Sequence, residues 1–246
     1  MIVEPDIETC SEDRLLAALT EQMNGPKWLG EMRGLARKRF ADLGFPTTRD
    51  EDWRFTNVSP LKELEFSAAE TDPSAQLEGC LFGSLEGPRL VFVNGFYSAE
   101  LSHVGELPNG VQVGSVAKAL AQYESVFKNH FTHRDTDAFA ALNTACFTDG
   151  AFVRVPDGVA METPIRIYYL STADDGATAN IRSLIVVGEN SQATVVESWS
   201  GRDTAYFNNA ITELIVGDNA QVEHVKFQDE STSAFHVAGL HVRMGR

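Results

Sequence analysis

Positive charge is scarce in this sequence. Twenty Lys and Arg stand against 35 Asp and Glu, a formal net charge of -15, spread along the chain rather than gathered in a tail. Such an acidic surface repels phosphate backbones, so nucleic acid is excluded as an expected partner. Long hydrophobic runs are also missing: none approaches the ~20 apolar residues of a membrane span. The opening MIVEPDIETCSED has neither the basic start nor the apolar stretch of a secretion signal. The expectation is a cytoplasmic protein with no membrane partner. Cysteine is limited to Cys10, Cys80 and Cys146, far apart and without a CxxC pair. Reduced thiols acting as small buried hydrophobes fit this better than a disulfide framework. There is no Gly-rich phosphate loop, no HExxH and no GxSxG. No catalytic, cofactor-binding or metal-ligating residue is assigned, no cofactor is expected on this chain, and the protein is expected not to be an enzyme.

What is present is ordinary for a globular chain: 43% hydrophobic and 22% charged residues. At this length, folding can remove roughly 70–75% of the unfolded chain's surface from water. Thr9 and Glu12 are spaced as a capping box, and Leu15, Leu16, Leu19 and Met23 recur at helical spacing before Gly25. Pro26 suits the first turn of a second helix with Trp28, Met32, Leu35, Ala36 and Leu43 on one face, closed by Gly44 and Pro46. The basic run Arg37, Lys38 and Arg39 within it reads as a solvated face. TTRDEDWRFTNVSPL (47–61) has no period and reads as a loop pinned by Trp53 and Phe55. Residues 67–88 read as a connector. Leu90–Val93 is a β-rich run, Asn94-Gly95 a strong turn dipeptide, and Phe96-Tyr97 begins a return strand. Helical spacing comes back over 115–128 (Val116, Ala119, Leu120, Tyr123, Phe127) and 137–147 (Phe139, Leu142, Cys146). After Asp149-Gly150 the chain consists of β-branched runs broken by Gly, Asp and Asn. The predicted organisation is a helical, mixed α/β region over 1–148 and an all-β region over 149–246.

The β region repeats itself. Gly188-Glu189-Asn190-Ser191-Gln192 matches Gly217-Asp218-Asn219-Ala220-Gln221 at an offset of 29, and Asp157-Gly158-Val159-Ala160-Met161 is a weaker copy about 30 residues earlier. A period of this size marks a solenoid or a propeller blade. One strand–turn–strand unit cannot bury its apolar face alone. Coils stacked at the ~4.8 Å strand spacing close a continuous core, so the fold class is mainly β, a parallel β-helix. Asn190 would then sit above Asn219 as an amide ladder; a propeller stays open.

Candidate chemistry is thin. His130 and His133 are three apart, which can place two imidazoles on one helical face; surface positions explain them as well. His224, His236 and His241 cluster late in the repeat. In stacked coils two of them could point the same way and form a soft metal platform, although packing and surface positions also account for them. The turn acids Asp157, Glu189 and Asp218 carry an alternative function. Some solenoid enzymes that cleave acidic polysaccharides hold calcium on carboxylates of successive coils. Against it, Asp and Asn are favoured in turns for backbone reasons alone.

Several segments resemble one known family. RDEDWRFTN (49–57) is similar to the EDW-aromatic-T segment of the SufD family, and LVFVNGFYSAELS (90–102) to its VFVNG-aromatic strand–turn segment. FAALNTACFTDGAFVRVPDG (139–158) and METPIRIYYLS (161–171) resemble the start of its β-helix. The ALN…DG element is shared with the paralogous SufB; the EDW and VNG segments favour SufD. The resemblance implies a cytoplasmic SufB–SufC–SufD complex that builds iron–sulfur clusters and passes them on. In it a SufD-type scaffold pairs with SufB through the β-helix and binds the ATPase SufC through later helices. The iron–sulfur cluster is the product of that complex. The family is longer than this chain, so the resemblance places the later coils, the histidine at the SufB interface and the SufC-binding helices past Arg246. None of His224, His236 and His241 matches that histidine.

A solenoid without a capping coil presents unpaired strand edges and interior apolar side chains. The isolated 246-residue polypeptide is therefore expected to aggregate or to dimerise through that open end. Size-exclusion chromatography checks this; a monomer with a cooperative melt contradicts it. Neighbouring genes for an ABC-type ATPase and a cysteine desulfurase would separate the assembly role from the polysaccharide enzyme and from a purely structural solenoid.

Overall fold

The computed structural model describes residues 11–20, 25–77, 82–131 and 137–246. Thr9, Met23, Cys10, Cys80 and His133 lie outside these residues. The helices are α1 (Ser11–Thr20), α2 (Lys27–Leu43), α3 (Val116–Ala119), α4 (Glu124–His130) and α5 (Ala138–Cys146). The strands are β1 (Ser67–Ala68), β2 (Arg89–Val93), β3 (Phe96–Tyr97), β4 (Gln112–Ser115), β5 (Ala151–Val155), β6 (Ile165–Ser171), β7 (Ala177–Val187), β8 (Gln192–Gly201), β9 (Phe207–Val216), β10 (Gln221–Asp229) and β11 (Phe235–Met244).

From β5 onward the chain alternates between two sheets. One runs β11-β9-β7-β5-β4, with β1 beside the start of β7; the other runs β10-β8-β6-β2-β3. Every pairing among β5–β11 is parallel, with Gln192 against Gln221 and Thr178 against Phe207, both offset by 29 residues. The expected solenoid is what the chain forms, in about three turns. Strands that precede residue 149 extend it: β2 pairs in parallel with β6 and β4 runs antiparallel to β5. The Asn94-Gly95 hairpin is as expected, with φ of 51° and 86° at its two central residues.

The repeat works at the corner. Asn190 and Asn219 both take φ 54°, and Gly158 takes 73° in the weaker copy, the left-handed conformation that Asn and Gly accept. Asn219 Nδ2 donates to Asn190 Oδ1 at 2.8 Å, the amide ladder the repeat predicts. The preceding glycine is fixed by the neighbouring coil. A Cβ on Gly217 would lie 2.7 Å from the Glu189 amide nitrogen and 2.7 Å from the Gly188 carbonyl carbon, while Gly217 N donates to Val187 O at 2.8 Å. Only a hydrogen fits between corners at that separation.

Inside, the two sheets bury a common core: Leu90, Phe92, Ile165, Ile167, Ile181, Ile185, Val195 and Leu214 among others. The outer face of the β7/β9 sheet is buried as well, beneath the helices. Phe40, Phe45, Phe139, Leu142 and Phe207 form one cluster there, and Leu29, Met32, Phe127, Phe152 and Leu184 another. Two expectations need correction. The buried face of α2 is Leu29, Met32, Arg33, Ala36 and Phe40, while Leu35 is 63% exposed and Leu43 is also exposed; a one-position error in helical phase moves the stripe off the core. In the 47–61 loop, Trp53 does anchor, its ring 5.0 Å from that of Phe139. Phe55 does not: it is 93% exposed under the Arg54 guanidinium, and Val58 and Leu61 fill the core instead. The helical span 115–128 is two short helices, broken between Leu120 and Tyr123.

The helical layer is tied to the coils by polar side chains. Asn143 of α5 donates from Nδ2 to Ile181 O and to Asn209 O, both at 2.9 Å, so one amide bridges two successive coils. Arg182 donates to Thr144 Oγ1 at 2.8 Å and pairs with Glu213 at 2.7 Å, with both side chains only 3–4% exposed. Asp149 accepts from Ser115 Oγ and from the amides of Ala117 and Gly150, although burial, its dominant influence, raises its pKa.

Two glycine substitutions should move stability in opposite directions. Gly217→Ala forces two corners apart and should cost about 1–3 kcal/mol. Gly34→Ala, on the exposed side of α2 with open space around the added methyl, should add about 0.5–1 kcal/mol. Urea denaturation of the two variants checks both signs.

Candidate functional site in the solenoid lumen

Strand alternation decides which side chains enter the lumen. In β8 they are Ala193, Val195, Glu197 and Trp199; the in-register partners in β10 are Val222, His224, Lys226 and Gln228. The lumen therefore changes character along its axis. Ile165, Ile167 and Ile181 fill the earlier coils, whereas Glu197, Thr212, His224, Lys226 and His236 occupy the last one. Between these zones stand stacked rings: Phe92 on Tyr169 at 5.2 Å and Tyr169 on Trp199 at 4.0 Å.

The polar end is organised around two carboxylates. Glu197 accepts from Trp199 Nε1 at 3.3 Å and from Thr212 Oγ1 at 3.5 Å, and lies 3.1 Å from His224 Nε2. Glu230, in the turn after β10, accepts from Tyr206 Oη at 3.1 Å, Asn208 Nδ2 at 2.8 Å and Gln228 Nε2 at 2.8 Å. Its Oε2 lies 2.7 Å from His236 Nδ1. His236 stands edge-on to Trp199, with centroids 4.6 Å apart, and its Nε2 is 2.8 Å from Lys226 Nζ. Burial lowers the Lys226 pKa against the attraction of Glu197 and Glu230. For Glu230, burial pushes the carboxyl up, but His236, Asn208 and Tyr206 together outweigh it and the net shift is downward. Tyr206 and Tyr169 are both raised, by burial first and then by Glu230 and Glu197 respectively.

The three late histidines separate. His224 and His236 point into the lumen; His241, opposite Glu213 in the register, passes to the other face of its sheet, where Nδ1 lies 3.5 Å from Glu213 Oε1. His130 meets Arg243 at 3.1 Å, and its pKa is lowered by burial and then by that guanidinium. Among the described residues, no group of three or more His, Cys, Asp and Glu is arranged to hold a metal ion. Two of the turn carboxylates have backbone work: Asp157 accepts from Glu189 N at 2.8 Å and Asp218 from Arg246 N at 2.9 Å. Cys146 is buried in α5, its thiol pushed up to about 12 by desolvation. Sequence reading missed Glu197, Lys226 and Glu230. The one sequence signal is at Lys226, where Val225-Lys226-Phe227 alternates apolar with charged along β10 and reads as a solvent-facing edge until the register is known.

Glu230→Gln should lower stability at neutral pH by about 1–3 kcal/mol, the worth of charge-assisted bonds to a carboxylate. The folded-state pKa is depressed, so the contribution is present above the unfolded carboxylate value of ~4.3 and lost as pH falls through the lower folded value. The gap between wild type and variant, followed by urea melts, should therefore narrow below about pH 4.

Comparison with known proteins finds matches to both the N-terminal region and the coils. Residues 17–167 match the SufBD protein N-terminal region, and residues 169–246 match the SUF system FeS cluster assembly SufBD core domain. The chain is 33% identical to an iron-sulfur cluster assembly SufBD family protein of Synechocystis sp., over 95% of this chain and 56% of that one. It is 28% identical to the iron-sulfur cluster assembly protein SufD of Bacillus subtilis, over 87% of this chain and 51% of that protein. With the chloroplastic protein ABCI7 of Arabidopsis thaliana it shares 25% identity, over 87% and 47%. The chain thus spans about half the length of these relatives. The N-terminal region match, which covers more than half of the chain, together with the core domain match over the stacked coils, places this chain in the SufBD family of iron–sulfur cluster assembly proteins.

Proposed function

We propose that this chain acts as a non-enzymatic scaffold in a cytoplasmic SufB–SufC–SufD-type complex, where its β-helix pairs with SufB. The observation that carries the reading is the family match over both the N-terminal region and the core. The parallel coils of β5–β11 supply the β-helix that this reading requires. Among the described residues no helix is long and apolar enough to cross a membrane.

The test is co-expression with the SufB-type and SufC-type proteins of the same genome. A tagged copy of this chain is expected to co-purify SufB, and to retain it through size-exclusion chromatography. Recovery of the tagged chain alone, folded by circular dichroism, overturns the proposal.

A further inference from the structure

The outer face of the sheet that contains β2 and β6 carries two arginines without a counterion. Strand alternation turns Ile165 and Ile167 into the lumen and sends Arg166 to the opposite face, where Arg89 of β2 stands beside it in register. Arg166 is only 6% exposed. Its Nη2 donates to Gly87 O at 2.8 Å and its Nη1 to Gly83 O at 3.3 Å, while Nε makes no hydrogen bond. Arg89 Nε donates to Leu101 O at 3.0 Å. Among the described residues neither guanidinium has a carboxylate at ion-pair distance, although the chain carries 35 Asp and Glu against 20 Lys and Arg. Two adjacent like charges, one of them buried, are costly to hold without an anion.

Arg166 and its partner Gly87 form part of the wall of a cavity of about 740 Å³, a size that suits a small molecule. Val104 and Met161 give the cavity apolar walls, and Glu86, Glu106 and Glu162 stand exposed at its rim beside His103. It lies against β2 and the first corner, away from β10 in the strand order, so its walls are the same whatever covers the last strands.

We propose that this cavity binds a small zwitterion whose carboxylate pairs with the Arg166 guanidinium, whose apolar body lies on Val104 and Met161, and whose ammonium meets the rim glutamates. A guanidinium matches a carboxylate in charge and in planar geometry. A plain anion must pass three carboxylates that repel it; a positive group at its far end turns that repulsion into attraction. The chemical class is an ω-amino acid or a short apolar peptide, in which such a body separates the two charges.

The site is independent of the assembly role. Isothermal titration of the chain with three probes of similar length tests it: 6-aminohexanoate carries both charges, hexanoate the anion alone and hexylammonium the cation alone. The zwitterion is expected to bind at least about tenfold more tightly than either of the others. Arg166→Gln, folded by circular dichroism, should weaken that binding by at least about tenfold. Because Arg166 also holds the carbonyls of Gly83 and Gly87, a second variant reads the rim alone. Glu86→Gln, Glu106→Gln and Glu162→Gln together change only exposed side chains and should bring hexanoate level with the zwitterion. No saturation by 6-aminohexanoate below about 10 mM, or hexanoate binding to wild type as tightly as the zwitterion does, overturns the proposal. Unchanged binding in folded Arg166→Gln overturns it too, as does a zwitterion preference that survives in the triple variant.

Discussion

Parallel stacking of one coil on the next is the constraint from which the rest of this structure follows. A backbone ladder at ~4.8 Å gives each residue a neighbour about 29 positions away in sequence and almost nothing closer on its own face. Any side chain that enters the lumen must then be compatible with the one above and the one below. This is why Phe92, Tyr169 and Trp199 form a column of rings, and why Asn190 and Asn219 can satisfy one another at the corner. It is also why glycine precedes each acidic corner residue in the two clear copies. The requirement there is one of separation between coils rather than of φ, since a methyl on Gly217 would enter the backbone of residues 188 and 189.

The same constraint explains what could be read in the sequence and what could not. Corners repeat as types: an acid, then a residue able to take left-handed φ. Three copies made the coil period visible before any coordinates. The faces of strands repeat only as volumes, so β2, from residues that precede the repeat and resemble no copy of it, gave no sign that it pairs with β6. Helical phase failed for a different reason. In α2 the apolar residues Leu29, Met32, Leu35, Ala36, Phe40 and Leu43 span more than one face, and only contact with α5 and the sheet selects Leu29 and Phe40 over Leu35 and Leu43. Phe55 misled for want of a partner: an aromatic between charged residues reads as an anchor, yet the neighbouring Trp53 already fills the site on Phe139.

The polar lumen was the least legible part, because its logic is non-local. Glu197, His224, Lys226, Glu230 and His236 come from β8, from β10 and the turn after it, and from β11, and no two of the central contacts join residues adjacent in the chain. Burying such groups is costly unless each finds partners, and the partners here are numerous: Glu230 alone is met by Tyr206, Asn208, Gln228 and His236. Packing could have used the aliphatic filling of the earlier coils throughout. That the change from Ile to Glu, His and Lys occurs along the axis, and not at random positions, makes the last described coil a chemically distinct compartment of the solenoid.

The outer face shows the complementary solution. Asn143, within the ALN segment, spends its amide on the backbone carbonyls of two coils at once, and Arg182 and Glu213 form a buried pair across the same two strands. A buried ion pair is weak evidence for stability, since apolar residues of equal volume often do as well, but removing one member strands the other at a cost of about 3–5 kcal/mol. Such contacts tolerate one register only. A slip of a single residue between α5 and the sheet, or between β7 and β9, would leave a charge and two carbonyls without partners. The apolar clusters beneath the helices hold the layer down; the polar ties fix where it sits. Strand alternation already penalises a one-residue slip in the apolar core, and the polar ties add a second, directional constraint to it.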